Sequence, residues 1–205
     1  MSDPRLPSPD RIASVLAFLD QANRLKDTLR SGRTPVSRQE STAEHSWRLC
    51  LLAILFSSDF DGVDVLRLLK ICIVHDLGEA ISGDVPAVDQ RAGDNRAERE
   101  RADLITLCAA LPDDLKSEIL ALWDEYAEAK SPEAVMAKGL DKIETMLTHT
   151  TGNNPDDFDY GFNLGYGVPA TDRHPLLSAI RTHVDERTSA LADAGRISPN
   201  GHQTP

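Results

Sequence analysis

Between residues 71 and 84 an apolar run, Ile71, Cys72, Ile73 and Val74, delivers His75 and Asp76 side by side, and Glu79 and Asp84 follow within eight residues. On a helix His75 and Glu79 share a face, because positions four apart stack one turn above another. Asp76 lies about 100° around the axis, near enough to address the same ion. Gly83 permits a sharp turn that brings Asp84 back toward the cluster. One imidazole and three carboxylates at the end of a buried helix are costly to leave unpaired, and a metal ion would relieve that cost. The plainer reading is a half-buried histidine bonded to its neighbour. A metal reading needs further ligands from elsewhere in the chain.

Several elements must position such ligands. Residues 1–9 hold three prolines and read as a loose end. Asp10 is expected to cap a first helix, with Ile12, Val15, Leu16, Leu19, Ala22 and Leu25 at helical spacing as far as about residue 29. Residues 30–40, broken by Gly32 and Pro35, read as a loop crowded by Arg30, Arg33 and Arg38, which by itself is most simply solvated. Ser41 and Glu44 have the form of a capping box. The helix they open, to about residue 57, is apolar on nearly every side and reads as a central helix. His45 lies on its line with Leu49, Leu52 and Phe56, so it is expected to face inward.

The run before His75 has strand-like composition, but continuity with Leu66 and Leu69 favours one helix ending at the cluster. A charged helix is expected over 95–110, and Pro112 starts the next, carrying Leu115, Ile119, Leu122, Trp123 and Tyr126. Ser131, Pro132 and Glu133 open another, with Met136, Leu140, Ile143 and Leu147 as its buried stripe. Asp141 flanks that stripe and alone reads as a surface charge. Residues 151–170, rich in glycine and aromatics, read as a long loop: a lid, a dimer contact or an edge of the core. A last helix is expected over 175–192, with a disordered tail from about 194, and no strand shows convincing alternation.

The 205 residues suit one globular domain. No apolar segment approaches the roughly 18 residues that span a bilayer, and the first residues lack a signal-peptide pattern. Cys50, Cys72 and Cys108 sit in apolar contexts without metal-type or disulfide-type spacing, as expected of a cytoplasmic protein. A net charge of −11 argues against a surface for nucleic-acid polymers. It leaves room for a small phosphorylated substrate met by local cations.

The order His45, then His75 and Asp76, then Asp141 resembles the H…HD…D signature of the HD-domain phosphohydrolases. The surroundings of His45 from Glu40 to Arg48, the HDLGEAISGD string at 75–84 and the KGLDK string at 138–142 are similar to the 5′-deoxynucleotidase branch. The resemblance covers about residues 10–190 and implies an all-α fold, a single HD-domain bundle of about seven helices over residues 10–193. It implies one divalent ion (Mn²⁺, Co²⁺, Fe²⁺, Zn²⁺ or Mg²⁺) held by His45, His75, Asp76 and Asp141; no thiolate narrows the choice. It places Glu79 and Asp84 beside the reacting phosphate in acid and base roles, and Arg30 on the phosphate, with Arg33, Arg38 and Lys142 as further substrate contacts. An aromatic residue follows that arginine in bacterial members of the branch, where it is implied in rejecting the ribose 2′-hydroxyl. Here Ser31 follows it, which leaves the sugar preference open.

The activity implied is metal-dependent release of phosphate from (deoxy)nucleoside 5′-monophosphates by a homodimer. The rivals are an HD-type triphosphohydrolase, a hydrolase of a modified nucleotide, and a non-catalytic nucleotide-binding regulator.

Overall fold

A computed structural model describes residues 6–89 and 95–197, with side chains as far as residue 194. The expected loose end and tail lie mostly outside that range. The helices run α1 (Pro9–Ala22), α2 (Thr42–Leu55), α3 (Val65–Val74), α4 (Glu79–Ser82), α5 (Arg96–Leu107), α6 (Asp113–Glu128), α7 (Pro132–Thr151), α8 (Tyr160–Gly165), α9 (Val168–Thr171) and α10 (Pro175–Ile197). Those of ten or more residues (α1, α2, α3, α5, α6, α7 and α10) are the expected bundle. The fold is all-α apart from one small hairpin, β1 (Leu29–Arg33) and β2 (Gln39–Ser41), paired antiparallel.

That hairpin replaces the loop expected over 30–40. Its short strands lack alternation because their inner face is supplied by close approach to α7. A Cβ at Gly32 would stand 2.7 Å from Thr148 Cγ2, so only glycine lets β1 lie this near. Other boundaries move for local reasons. Ser8, not Asp10, caps α1 by accepting from Arg11 N–H, and Pro9 takes the first helical position. The helix gives way after Ala22 to a 3₁₀ turn that ends at Lys26. The run before His75 is helical as expected, but α3 ends at Val74 and α4 restarts at Glu79, so His75 and Glu79 do not share one unbroken helix. The glycine-rich 151–170 segment carries α8 and α9.

The helix enclosed on most sides is α7, which packs against α2, α3, α6 and α10. Leu140, Ile143 and Met146 in α7 meet Leu49 of α2 and Leu68 and Ile71 of α3 in a single core. Each such side chain contributes about 1.5–3 kcal/mol on burial. By contrast α2 is half buried. Trp47 and Leu55 are 64% and 68% exposed, and Leu51 and Ile54 are exposed with them, so α2 has an apolar outer face and is not the central helix expected.

Candidate active site

The capping box forms as expected. Ser41 Oγ accepts from Glu44 N–H, and the Glu44 carboxylate accepts from Ser41 N–H at 2.9 Å. This fixes where α2 begins and sets His45 one turn inside, fully buried. His75 is the C-cap residue of α3, and Asp76 follows it out of the helix. Asp141 sits midway along α7, buried and not on the surface.

These three elements bring the four side chains together. His45 Nε2 stands 3.2 Å from Asp141 Oδ1 and 3.8 Å from Asp76 Oδ2. His75 Nε2 stands 3.0 Å from Asp76 Oδ2 and 3.9 Å from Asp141 Oδ1. The far nitrogen of each ring is already committed. His75 Nδ1–H donates to the Cys72 carbonyl at 2.9 Å, and His45 Nδ1 bonds the fully buried Glu144 carboxylate. Both Nε2 atoms are buried with no hydrogen-bond partner among the described residues. Two buried imidazole nitrogens without hydrogen-bond partners and two carboxylates at this spacing suit ligands that share a cation about 2.1 Å from each.

The electrostatics agree. Burial opposes charge on Asp76, but His75, Arg30 and His45 outweigh it and hold the carboxyl well below its usual range. Burial likewise opposes Asp141, and Lys142 with the two imidazoles keeps it ionised. Burial and Arg30 oppose charge on His45, yet Glu144 and Asp141 push it up to about 10. In the ion-free protein a proton thus takes the place of a cation. His45, Glu144 and Glu40 also lie close enough to form a triad of ligands. However, His45 Nδ1 is bonded to Glu144, Thr148 Oγ1 contacts both glutamates at 3.0 Å, and Arg48 stands 3.5 Å from Glu144, so this trio reads as the brace behind His45.

Arg30, on β1, is enclosed by acids. Its Nη1 lies 3.3 Å from Asp76 and 3.9 Å from Asp84, its Nε lies 3.7 Å from Glu40, and its Nη2 donates to Thr145 Oγ1 at 3.2 Å. Gly83, at φ +86°, makes the turn that returns Asp84 to this group. Glu79 is buried and accepts from Thr42 Oγ1 at 2.9 Å. Burial, Asp76 and Asp84 push Glu79 up to about 9, and burial raises Asp84 as well. In the ion-free protein Glu79 is therefore disposed to hold a proton, in contrast to Asp76 and Asp141.

With His45 and its brace standing behind them, Arg30, His75, Asp76, Glu79, Asp84, Asp141 and Thr145 line a cavity of about 530 Å³, a size suited to a small ligand. Lys142 lines it and reaches Asp141 Oδ2 at 2.9 Å. Arg33 lines it too, but its guanidinium donates to the Ser37 carbonyl at 2.7 Å, at the hairpin turn. Arg38 is not among the lining residues. It forms a fork with Glu44 at 2.6 and 2.9 Å on the outside, so the structure does not bring it to the cavity with the other expected contacts. Three contributors were missed. Glu144 follows Asp141 by three residues, a helical spacing that marks a shared face. Tyr126 was read only as core, yet its hydroxyl donates to Asp141 Oδ2 at 2.7 Å. Thr42 gave no sequence signal.

The chain matches the HD domain family model over residues 22–181. It is 30% identical to 5′-deoxynucleotidase HDDC2 of Xenopus laevis over 192 residues, covering 90% of this chain and 93% of that one. The Homo sapiens protein of the same name is 33% identical over 136 residues, 65% of this chain and 66% of that one. Among solved structures, a predicted metal-dependent phosphohydrolase from Magnetospirillum magnetotacticum superposes with a TM-score of 0.74 at 27% identity, covering 89% of this chain and 98% of that one. The chain therefore belongs to the HD-domain phosphohydrolase family.

Proposed function

We propose that the protein releases inorganic phosphate from (deoxy)nucleoside 5′-monophosphates with a divalent ion held by His45, His75, Asp76 and Asp141. One observation carries this reading: two buried, unpartnered Nε2 atoms between ionised aspartates, with the buried Arg30 beside them in a ligand-sized cavity. The relatives' name, 5′-deoxynucleotidase, supports it. When bound, the ion supplies Lewis acidity to the phosphate and acidifies a water.

The chain's own residues do the rest. Arg30 presents its guanidinium fork to the phosphate oxygens, exchanging its contact with Asp76 for the ligand. Glu79, kept protonated in the ion-free protein by burial and by repulsion from Asp76 and Asp84, is left ionised once the positive charge of a bound ion offsets them, and its carboxylate takes a proton from the attacking water. Asp84 gives one to the 5′-oxygen as the P–O bond breaks, so nucleoside and phosphate leave with protons balanced. Lys142 and Tyr126 hold Asp141 in place through its Oδ2. Ser31 lines the cavity beside Arg30 with a small side chain, and we expect ribonucleotides to be accepted along with deoxynucleotides.

Phosphate release from deoxy- and ribonucleoside monophosphates with Mn²⁺, Co²⁺, Fe²⁺, Zn²⁺ and Mg²⁺ tests the reading. Triphosphate released from a deoxynucleoside triphosphate would replace it with the triphosphohydrolase rival, and no turnover with any ion would leave the regulator. The apolar outer face of α2, with Trp47, Leu51, Ile54 and Leu55, supports a homodimer. Trp47→Glu should then yield monomers by light scattering. No described helix is long and apolar enough to cross a membrane. The three free thiols support a cytoplasmic setting.

A further inference from the structure

Helix α7 lays Asp141, Thr145 and His149 along the cavity, one turn apart. Asp141 faces the imidazoles, Thr145 Oγ1 accepts from Arg30, and His149 bonds Asn163 of α8. Eight residues of helix separate the first from the last by about 12 Å. Strand β1 runs beside them, with Arg30 at Thr145 and Gly32 at His149, where a Cβ on Gly32 would lie 3.4 Å from the ring. With phosphate at Arg30, the His149 end is one of the directions in which the cavity has room for the rest of a nucleotide; Val85, Pro86 and Trp123 line another.

At the His149 end a residue lining the cavity carries a buried, unmatched donor. Asn163 is 1% exposed, and its Oδ1 accepts from His149 Nδ1 at 3.1 Å. In the structure the amide turns Oδ1 toward the ring, so in the neutral imidazole that burial favours the proton sits on Nδ1. Asn163 Nδ2 is then left buried without a partner among the described residues. The placement is built rather than incidental, because the buried Arg181 donates to the Asn163 and Leu164 carbonyls at 3.1 and 2.9 Å. Phe158, edge-on to His149 at 4.9 Å, lines the same end, and Phe162, which precedes Asn163 and stacks with Tyr166 at 5.9 Å, lines the cavity too; both offer flat walls to a base.

We propose that this end reads the nucleobase: Asn163 Nδ2 donates to a carbonyl oxygen or ring nitrogen of the base, His149 acts as its positioning residue, and Phe158 and Phe162 flank the ring. This rests on the phosphomonoesterase reading above. The test compares thymidine, deoxycytidine and deoxyadenosine 5′-monophosphates with base-less 2-deoxyribose 5-phosphate in wild type, Asn163→Asp and Asn163→Leu. Aspartate keeps the acceptor for His149 and loses the donor; leucine removes both without burying a charge.

In the wild type, kcat/KM should favour nucleotides over the base-less sugar by about tenfold or more, the size of one hydrogen bond with stacking. Both variants should raise KM for nucleotides about tenfold, with kcat nearly unchanged and turnover of the base-less sugar unaltered. Equal wild-type turnover of both substrate classes would overturn the inference whether or not the variants fold. So would variants that lose both classes equally, or neither. Failure of the wild type to release phosphate from any of them would instead strike the underlying phosphomonoesterase reading.

Discussion

At the Asp141 end of the cavity the donor atoms come from α2, α7 and the C-terminal end of α3, all packed in the core, and each imidazole is pinned from behind. At the His149 end the wall is a two-stranded hairpin, the six-residue α8 and partly exposed aromatics such as Phe162. An ion tolerates errors of only a few tenths of an ångström in its ligands, which calls for packed helices. A base presses on its site through broad contacts and a hydrogen bond or two, and a short helix suffices. The difference teaches where substitutions should act: on ion affinity and chemistry at one end, on KM at the other.

The largest effect is expected at the packed end. Asp76→Ala should abolish stoichiometric ion binding by elemental analysis and lower turnover by about 10³-fold, at the upper end for loss of one preorganised electrostatic group. Retained turnover would remove the four-residue site from the account. Next comes Glu79→Gln, which should cost about 10²-fold in kcat and leave ion stoichiometry intact. The same residue controls a pH effect in the ion-free protein. Because Glu79 is pushed up from 4.5 to about 9, the folded chain holds a proton between those values that the unfolded chain has released. Its contribution is therefore most favourable below about pH 4.5 and declines as pH rises to about 9. Denaturation of the ion-free wild type across that window should show this downward slope, and Glu79→Gln should flatten it.

Glu144 sharpens the comparison, since it touches neither cavity nor substrate. Glu144→Gln should weaken ion affinity about 10- to 100-fold, the usual cost of losing the group that orients a ligating histidine. Because Glu144 and Asp141 keep His45 protonated without an ion, binding should release a proton at neutral pH. Calorimetry in buffers of different ionisation enthalpy reads that release directly, and Glu144→Gln should shrink it. An unchanged affinity would reduce Glu144 to packing.

How much of this was legible depends on the kind of signal. His75, Asp76 and Asp84 sit in one short string with Gly83 as the turn, so their convergence follows from local geometry. The all-α fold, the capping box at Ser41 and the helix start at Ser131 are equally local. Asp141 is different: it sits at the edge of the apolar stripe with Lys138, Lys142 and Glu144 around it, nothing nearby says that its own face turns inward, and the H…HD…D resemblance alone singled it out. The hairpin was hidden because its support comes from α7, more than a hundred residues later. Arg38 lies outside the cavity because it pairs with Glu44, whose carboxylate serves both this fork and the capping box, a pairing that no local pattern announces. The apolar surplus of α2 reads as burial in any single-chain analysis, although half of it faces outward.

The smallest expected effect joins the two ends. Ser41 closes β2 and caps α2, so it is the covalent link between the hairpin that carries Arg30 and the helix that carries His45. Ser41→Ala removes the acceptor for Glu44 N–H and should cost about 1 kcal/mol of stability, visible as a fall of about 2–4 °C in Tm for a chain this size. If the His45 ring is held chiefly by Glu144 and by burial, ion affinity should barely change, while KM for the nucleotide should rise slightly as β1 loosens. Were ion affinity to fall in step with stability, the two ends would not be separately supported, and the cap would have to be counted among the parts that position the ion.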